Sequence, residues 1–227
     1  MAGSSWAPNT LLDALTPADR TALLELGPTR AYAPGRTLIW EAGPETDVFL
    51  IIAGFVRVEA TTADGRSVLL SLRVAGEMVG ELAPLAGMSR SATVVAATAV
   101  TAAVVSWHRL QGFLAKHPAA ADAMHAAVAS KFHHATRHRI AVAGSSLTKR
   151  VASVLMYLAE AHGLPDSGSV RIAVPLSQPD LARLVGVSEP SLRRALAELR
   201  DSGIVTSGYR TQAITDMAAL RRKADAS

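Results

Sequence analysis

Residues 176–200 read Leu176-Ser177-Gln178-Pro179-Asp180-Leu181-Ala182-Arg183-Leu184-Val185-Gly186-Val187-Ser188-Glu189-Pro190-Ser191-Leu192-Arg193-Arg194-Ala195-Leu196-Ala197-Glu198-Leu199-Arg200. Ser177 is a candidate N-cap with Pro179 in the first turn behind it, and Ser188 with Pro190 repeats the pattern. Gly186 stands where the chain must turn sharply between two helices. The second helix would bury Leu192, Leu196 and Leu199 and leave Glu189, Ser191, Arg193, Arg194, Ala197 and Glu198 more exposed. A short strand is predicted before the pair, over Val170–Val174. After it, Ile204 to Thr215 reads as a hairpin centred on Ser207-Gly208 and carrying Tyr209 and Arg210. An ordinary helical hairpin with a solvated arginine face would share some of these features. Spacing, caps and wing together point instead to a winged helix-turn-helix that binds DNA.

Working backwards, Leu147 to His162 reads as a helix, and Gly144-Ser145-Ser146 is the best domain boundary. Pro118 suits the first turn of a long helix, preceded by a short one over Leu110 to Lys116. Along the long helix Ala121, Val128, Ala135 and Val142 recur every seven residues, with His125, Phe132 and Arg139 beside them. That alanine-rich stripe is either a dimer seam or the face a helix packs on its own domain; its narrowness favours the seam.

From Thr29 to Trp107 the texture is β-like. Runs such as Thr37–Trp40, Val48–Ala53, Phe55–Thr61, Val68–Val74, Ala92–Ala97 and Val100–Trp107 alternate with glycines, and Asp64-Gly65 marks a hairpin. An antiparallel sandwich or roll is predicted. Ahead of it, Thr10 to Leu26 reads helical with Pro17 opening a second helix, and Met1 to Pro8 looks frayed. Within the β region stands Gly76-Glu77-Met78-Val79-Gly80-Glu81-Leu82-Ala83, followed by Arg90-Ser91-Ala92-Thr93. Glycines beside a short helical turn free backbone N–H groups for an anion. Arg90 offers a planar fork for a phosphate and Ser91 a hydroxyl, while Glu81 can accept from a sugar hydroxyl. A salt bridge near a surface turn would use the same residues.

Composition narrows the field. Of 227 residues, 49% are hydrophobic, enough for two cores, and 23 basic against 19 acidic residues leave a net charge of +4. That balance suits nucleic acid, and 19 of the basic residues are arginines, suited to phosphate. With no cysteine, disulfides, thiolate zinc sites and cysteine nucleophiles are excluded. No basic start precedes an apolar run, so no signal peptide is expected. The longest uncharged stretch near the middle, Ser91 to His108, is too short to span a membrane. A soluble cytoplasmic protein is the expectation.

The cassette Gly80-Glu81-Leu82-Ala83 with Arg90-Ser91-Ala92-Thr93 resembles the phosphate-binding cassette of cyclic-nucleotide-binding domains. The spacing of Gly35, Gly54-Phe55-Val56 and Asp64-Gly65-Arg66 resembles theirs too. From about Leu11 to about Asp216 the chain resembles the CRP/FNR family of bacterial transcription regulators. The resemblance implies that Glu81 holds a ribose hydroxyl and that Arg90 and Ser91 hold a cyclic phosphate. The backbone of Gly80 and Leu82, with Ala83 and Ala92, would complete the cradle. It places the polar contacts to the base at Ala135 and Thr136 on the long helix, with Lys131 one turn earlier. Ala135 has no hydroxyl, and the missing hydrogen bond would forfeit about 0.5–1.5 kcal/mol. For DNA, position implies base or near-base contacts from Ser188, Glu189, Ser191 and Arg194 and phosphate contacts from Ser177, Arg193 and Arg210. Glu189 and Pro190 replace the family's neighbouring arginine and glutamate, so the operator should be a palindrome, and the family's bases do not carry over to it.

The expected architecture is α+β: an N-terminal antiparallel β-roll with its helices (1–116), a long dimerisation helix (117–143) and a C-terminal winged helix-turn-helix (144–227). The expected partners are double-stranded DNA, a cyclic nucleotide (cAMP, with cGMP as the variant) and a second copy of the chain, with RNA polymerase a further candidate and no membrane. No cofactor or metal is expected. His134 and His138 are four apart and could chelate, but spacing fixes no third ligand. No nucleophile–base pair or carboxylate pair suggests an enzyme. The rival readings are a regulator of this fold with another effector, such as haem or a metal, and a DNA binder without a ligand.

Overall fold

The structure is a computed structural model that describes residues 6, 8, 10–65, 67–142, 146–172, 174, 176–208 and 211–225. Contacts divide the chain into two compact units, residues 1–130 and 131–227. The division falls inside the longest helix, and the expected boundary residues Gly144 and Ser145 lie outside the described residues.

The first unit opens with α1 (Leu11–Ala14) and α2 (Pro17–Leu24), followed by β1 (Thr29–Tyr32), β2 (Thr37–Ile39), β3 (Val48–Ala53), β4 (Phe55–Thr61), β5 (Ser67–Val74) and β6 (Met78–Val79). Next come α3 (Leu82–Ala86), β7 (Thr93–Ala96), β8 (Val100–Val105), α4 (Trp107–Leu114) and α5 (Pro118–Val142). The strands form two antiparallel sheets, β1-β8-β3-β6 and β2-β7-β4-β5. Side chains of a strand alternate between faces. In β3, Val48 and Leu50 join Leu12, Leu23, Leu110, Phe113 and Met124 on the helical side. Phe49 and Ile51 point the other way, against Val56, Val94 and Ala96 of the second sheet. β8 divides likewise, with Ala103 and Val105 on the helical side and Val100, Ala102 and Val104 between the sheets. Both faces of β3 and β8 are therefore buried, so Val48–Ile52 is an unbroken apolar run rather than an alternating one.

The strands β3 and β4 match the sequence reading residue for residue, and Asp64-Gly65 lies in the β4–β5 connection, whose Arg66 is outside the described residues. β1 and β6 are additions to that reading, and α4 (Trp107–Leu114) starts three residues and ends two residues before the expected Leu110–Lys116. Ser106, in extended conformation, caps α4 and ends β8 early.

Helix α5 packs Ala120 and Met124, with Ala123 and Ala127, on the helical core of its own unit. At 100° per residue the seam positions Ala121, Val128, Phe132, Ala135 and Arg139 lie about a quarter-turn away. There Ala121 and Val128 are half-buried and Phe132 is 74% exposed. The packing reading of the helix thus holds, and the predicted seam positions lie on the adjacent face, clear of that core. The side chain of Val142 lies outside the described residues.

The second unit contains α6 (Leu147–His162), β9 (Gly163–Asp166), β10 (Ser169–Ile172), α7 (Gln178–Val185), α8 (Glu189–Asp201), β11 (Val205–Gly208), β12 (Thr211–Ile214) and α9 (Met217–Asp225). Its sheet runs β11-β12-β10-β9. The wing hairpin pairs Gly208 with Thr211, so its centre falls two residues beyond the expected Ser207-Gly208. β9 and α9 were not anticipated by the sequence reading. No helix among the described residues is long and apolar enough to cross a membrane.

Asp19 of α2 fastens the start of the unit to the α4–α5 junction. Its carboxylate accepts from His117 Nδ1 at 2.6 Å and from Thr16 Oγ1 at 2.9 Å, and the His117 ring stacks on Phe113 at 4.1 Å. The hydrogen bonds from Thr16, then His117, hold the Asp19 carboxyl below its ordinary 3.8 against an opposing burial effect. A depressed carboxyl stabilises the fold above its unfolded value and loses that contribution as pH falls through the folded one. Denaturant unfolding followed from about pH 5 down to about pH 2 should therefore lose stability more steeply in the wild type than in Asp19→Asn; parallel curves would contradict the fastening.

Candidate ligand and DNA sites

The register of β3 with β6 builds the first site. Phe49 pairs with Val79, so the residues just outside, Asp47 before β3 and Gly80 after β6, are brought together at one end of the sheet. Arg90 lies between α3 and β7 and spans that end: Nη1 donates to the Gly80 carbonyl and Nη2 to the Asp47 carbonyl, the latter at 2.6 Å. Its own carbonyl accepts from Ala42 N at 2.9 Å. Gly80 has φ +91, and a Cβ there would lie 2.7 Å from Ile39 Cδ1, 3.0 Å from Arg90 Nη1 and 3.1 Å from the Asp47 carbonyl oxygen. The positive φ favours glycine here, and its missing Cβ gives room to Ile39 and the guanidinium.

Arg90 is 5% exposed and Glu81, the first residue past that glycine, 1%. Burial lowers the affinity of the Arg90 guanidinium for its proton, while the negative charges of Asp47, Glu45 and Glu81 act in the opposite sense. A guanidinium has five N–H donors, and two serve the carbonyls. Nε–H is buried with no acceptor among the described residues, a deficit worth about 1–3 kcal/mol. The donor set fits an anion delivered beside Glu81. Of the other expected residues, Ser91 and Leu82 are exposed, and Ala83 and Ala92 are half-buried. Lys131 (half-buried) and the exposed Ala135 and Thr136 stand on the part of α5 that belongs to the second unit. Asp47 and Glu45 escaped the sequence reading, because only the β3–β6 register brings them to an arginine 43 residues away in the case of Asp47.

The second site is built by caps. Ser177 Oγ accepts from Asp180 N at 3.2 Å and Ser188 Oγ from Ser191 N at 3.4 Å. Gly186 (φ +74) ends α7 in the left-handed conformation. Leu181, Leu184 and Val185 of α7 and Leu192, Ala195, Leu196 and Leu199 of α8 are buried with Val151, Leu155 and Leu158 of α6. Burying those residues leaves Ser188, Glu189, Arg193 and Arg194 exposed and Ser191 half-exposed. Glu198 would be the natural partner of Arg194 one turn on, but it accepts from Thr148 Oγ1 at 2.5 Å. Arg193 and Arg194 have no acidic partner among the described residues. Arg210 and Tyr209 lie outside the described residues. So does the His138 side chain, and no group of three or more described residues could hold a metal.

Comparison with known proteins assigns both halves. The model of the cyclic nucleotide-binding domain matches residues 29–117, and that of the Crp-like helix-turn-helix domain matches residues 149–223. The chain belongs to the CRP/FNR family. Like other CRP/FNR members it is a DNA-binding transcription regulator with a cyclic nucleotide-binding domain. It is 26% identical over 193 residues, 85% of this chain and 86% of the relative, to the CRP-like cAMP-activated global transcriptional regulator of Mycobacterium tuberculosis. It is 26% identical over 184 residues, 79% and 86% respectively, to the cAMP-activated global transcriptional regulator CRP of Escherichia coli. Its fold is that of a CooA mutant from Carboxydothermus hydrogenoformans, with a TM-score of 0.80 at 18% identity over 98% of this chain and 99% of that one.

The contact of Gly80 with Arg90 can be tested on the CRP/FNR chain directly. Gly87→Ala, at φ +65 in open space, should cost about 1–2 kcal/mol for the left-handed backbone. Gly80→Ala should cost more in urea unfolding, since its Cβ also presses on Ile39 and Arg90; equal losses would show that the approach is slack.

Proposed function

We propose that the protein is a homodimer that binds a cyclic nucleotide, with cAMP the first candidate, and thereby changes its affinity for a palindromic operator. The observation that carries the reading is the buried Arg90, whose Nε–H has no acceptor among the described residues, beside the buried Glu81. A cyclic phosphate would take the spare donors, with Ser91 adding a hydroxyl, and Glu81 would take the ribose hydroxyl. The cAMP-activated relatives support the choice of adenine. The long helix would supply the base contact through Thr136 and Lys131, and its Phe132 face would meet the partner subunit.

A ligand shifts an equilibrium only by its differential affinity for the two states. The two states here are dimer arrangements that set the two α8 helices at one DNA turn, about 34 Å apart, or away from it. Ala135 favours a second reading, in which the same fold answers to a different effector, because it offers no hydrogen bond at a base-contact position.

Calorimetry of the full chain with cAMP and with cGMP, using Arg90→Ala as control, decides between them. The wild type should bind at least one nucleotide, and loss of the charged hydrogen bonds should weaken it by about tenfold or more. Null titrations throughout would transfer the case to the second reading. In sedimentation, Phe132→Glu should yield monomers where the wild type gives dimers. On DNA, Arg194→Ala should relax sequence preference, whereas Arg210→Ala should weaken all sequences alike and reduce the salt slope by about one. The same behaviour in both variants would refute that division of labour.

A further inference from the structure

Within the second unit, between the last turns of α5, one stripe of α6 and the end of α9, lies a cavity of about 260 Å³. The α6 stripe is Lys149, Ser153, Met156, Tyr157 and Glu160, spaced at three and four residues on one face. From α5 come His134, Arg137 and Ile140, and from α9 Asp225. Its charges are unevenly satisfied. Asp225 faces Arg137 at 3.8 Å, and Glu160 faces Arg221 at 3.4 Å. Lys149 has no acidic partner among the described residues, and Ser153 stands one turn along the same face. The rest of the lining is apolar or aromatic: buried Met156, Ile140 at 68% exposure, and Tyr157 with the His134 ring 4.7 Å away.

We infer that this cleft binds a small organic carboxylate with an apolar or aromatic body. The carboxylate would sit at Lys149 and Ser153 and the body against Tyr157, Met156 and Ile140. The volume lies just below the range of about 300–1,000 Å³ for drug-sized sites, which fits a body of about one ring. Arg137 is two residues from Ala135, so it projects about 160° from the seam around the α5 axis. Occupation of the cleft therefore leaves the Phe132 face free. The bound molecule would join the end of α5 to α6, a second input to the DNA-reading unit that needs neither Glu81 nor Arg90.

The test uses the full chain with benzoate as probe, benzylamine as the charge-reversed control and acetate as the headgroup alone. Saturation-transfer NMR and calorimetry should detect benzoate, with benzylamine and acetate at least about tenfold weaker. Lys149→Gln should weaken benzoate by about tenfold or more. Ser153→Leu, which fills the cleft without changing its charge, should abolish binding. Arg222→Gln, an exposed basic residue outside the lining, should leave it intact. Circular dichroism identifies the folded variants for comparison. Arg90→Ala should also leave benzoate binding unchanged, which separates this inference from the nucleotide reading. No benzoate signal, equal binding of benzylamine, or retention of benzoate by both cleft variants would overturn it.

Discussion

The central strands β8 and β3 of the β1-β8-β3-β6 sheet have no wet face, and the first unit depends on that constraint. β3 must satisfy two cores at once, the helical one through Val48 and Leu50 and the inter-sheet one through Phe49 and Ile51. A one-residue slip would exchange the two sets of side chains, so the register is strongly specified. The same register decides where Asp47 and Gly80 end up, and hence where Arg90 can anchor. The ligand-site geometry is thus a by-product of core packing two residues away.

Much of this was legible in the chain. Glycine-punctuated β-branched runs gave β3 and β4 their limits, because a strand ends where the backbone must turn. Ser177, Gly186 and Ser188 marked the helix-turn-helix, because a helix terminus needs a specific side chain or φ value to satisfy its unpaired groups. What escaped has a physical reason as well. β6 is two residues long and carries no period of its own. β9 contains Pro165 and Asp166 and exists through pairing with β10. α9 buries only Leu220 and Ala224, too few for a readable stripe. The carboxylates around Arg90 are brought there by long-range register, which no local pattern encodes.

The DNA-reading unit shows how capping and exposure cooperate. Each helix of the pair starts on a serine whose hydroxyl accepts a backbone N–H, and the leucines of α8 turn its opposite face outward. The Thr148 hydroxyl takes Glu198 away from Arg194. A helix-surface ion pair of about 0.3–0.5 kcal/mol is given up, and two guanidinium groups stay available on a helix of that orientation.

Arg90 has a structural task besides the one proposed for it. By bridging the carbonyls of Gly80 and Asp47 it rivets a strand end to a neighbouring loop, with or without a messenger in place. Removing it would leave two part-buried carbonyls without their donor. An arginine that rivets the scaffold is therefore retained by folding alone, even in a descendant that has ceased to listen for its signal.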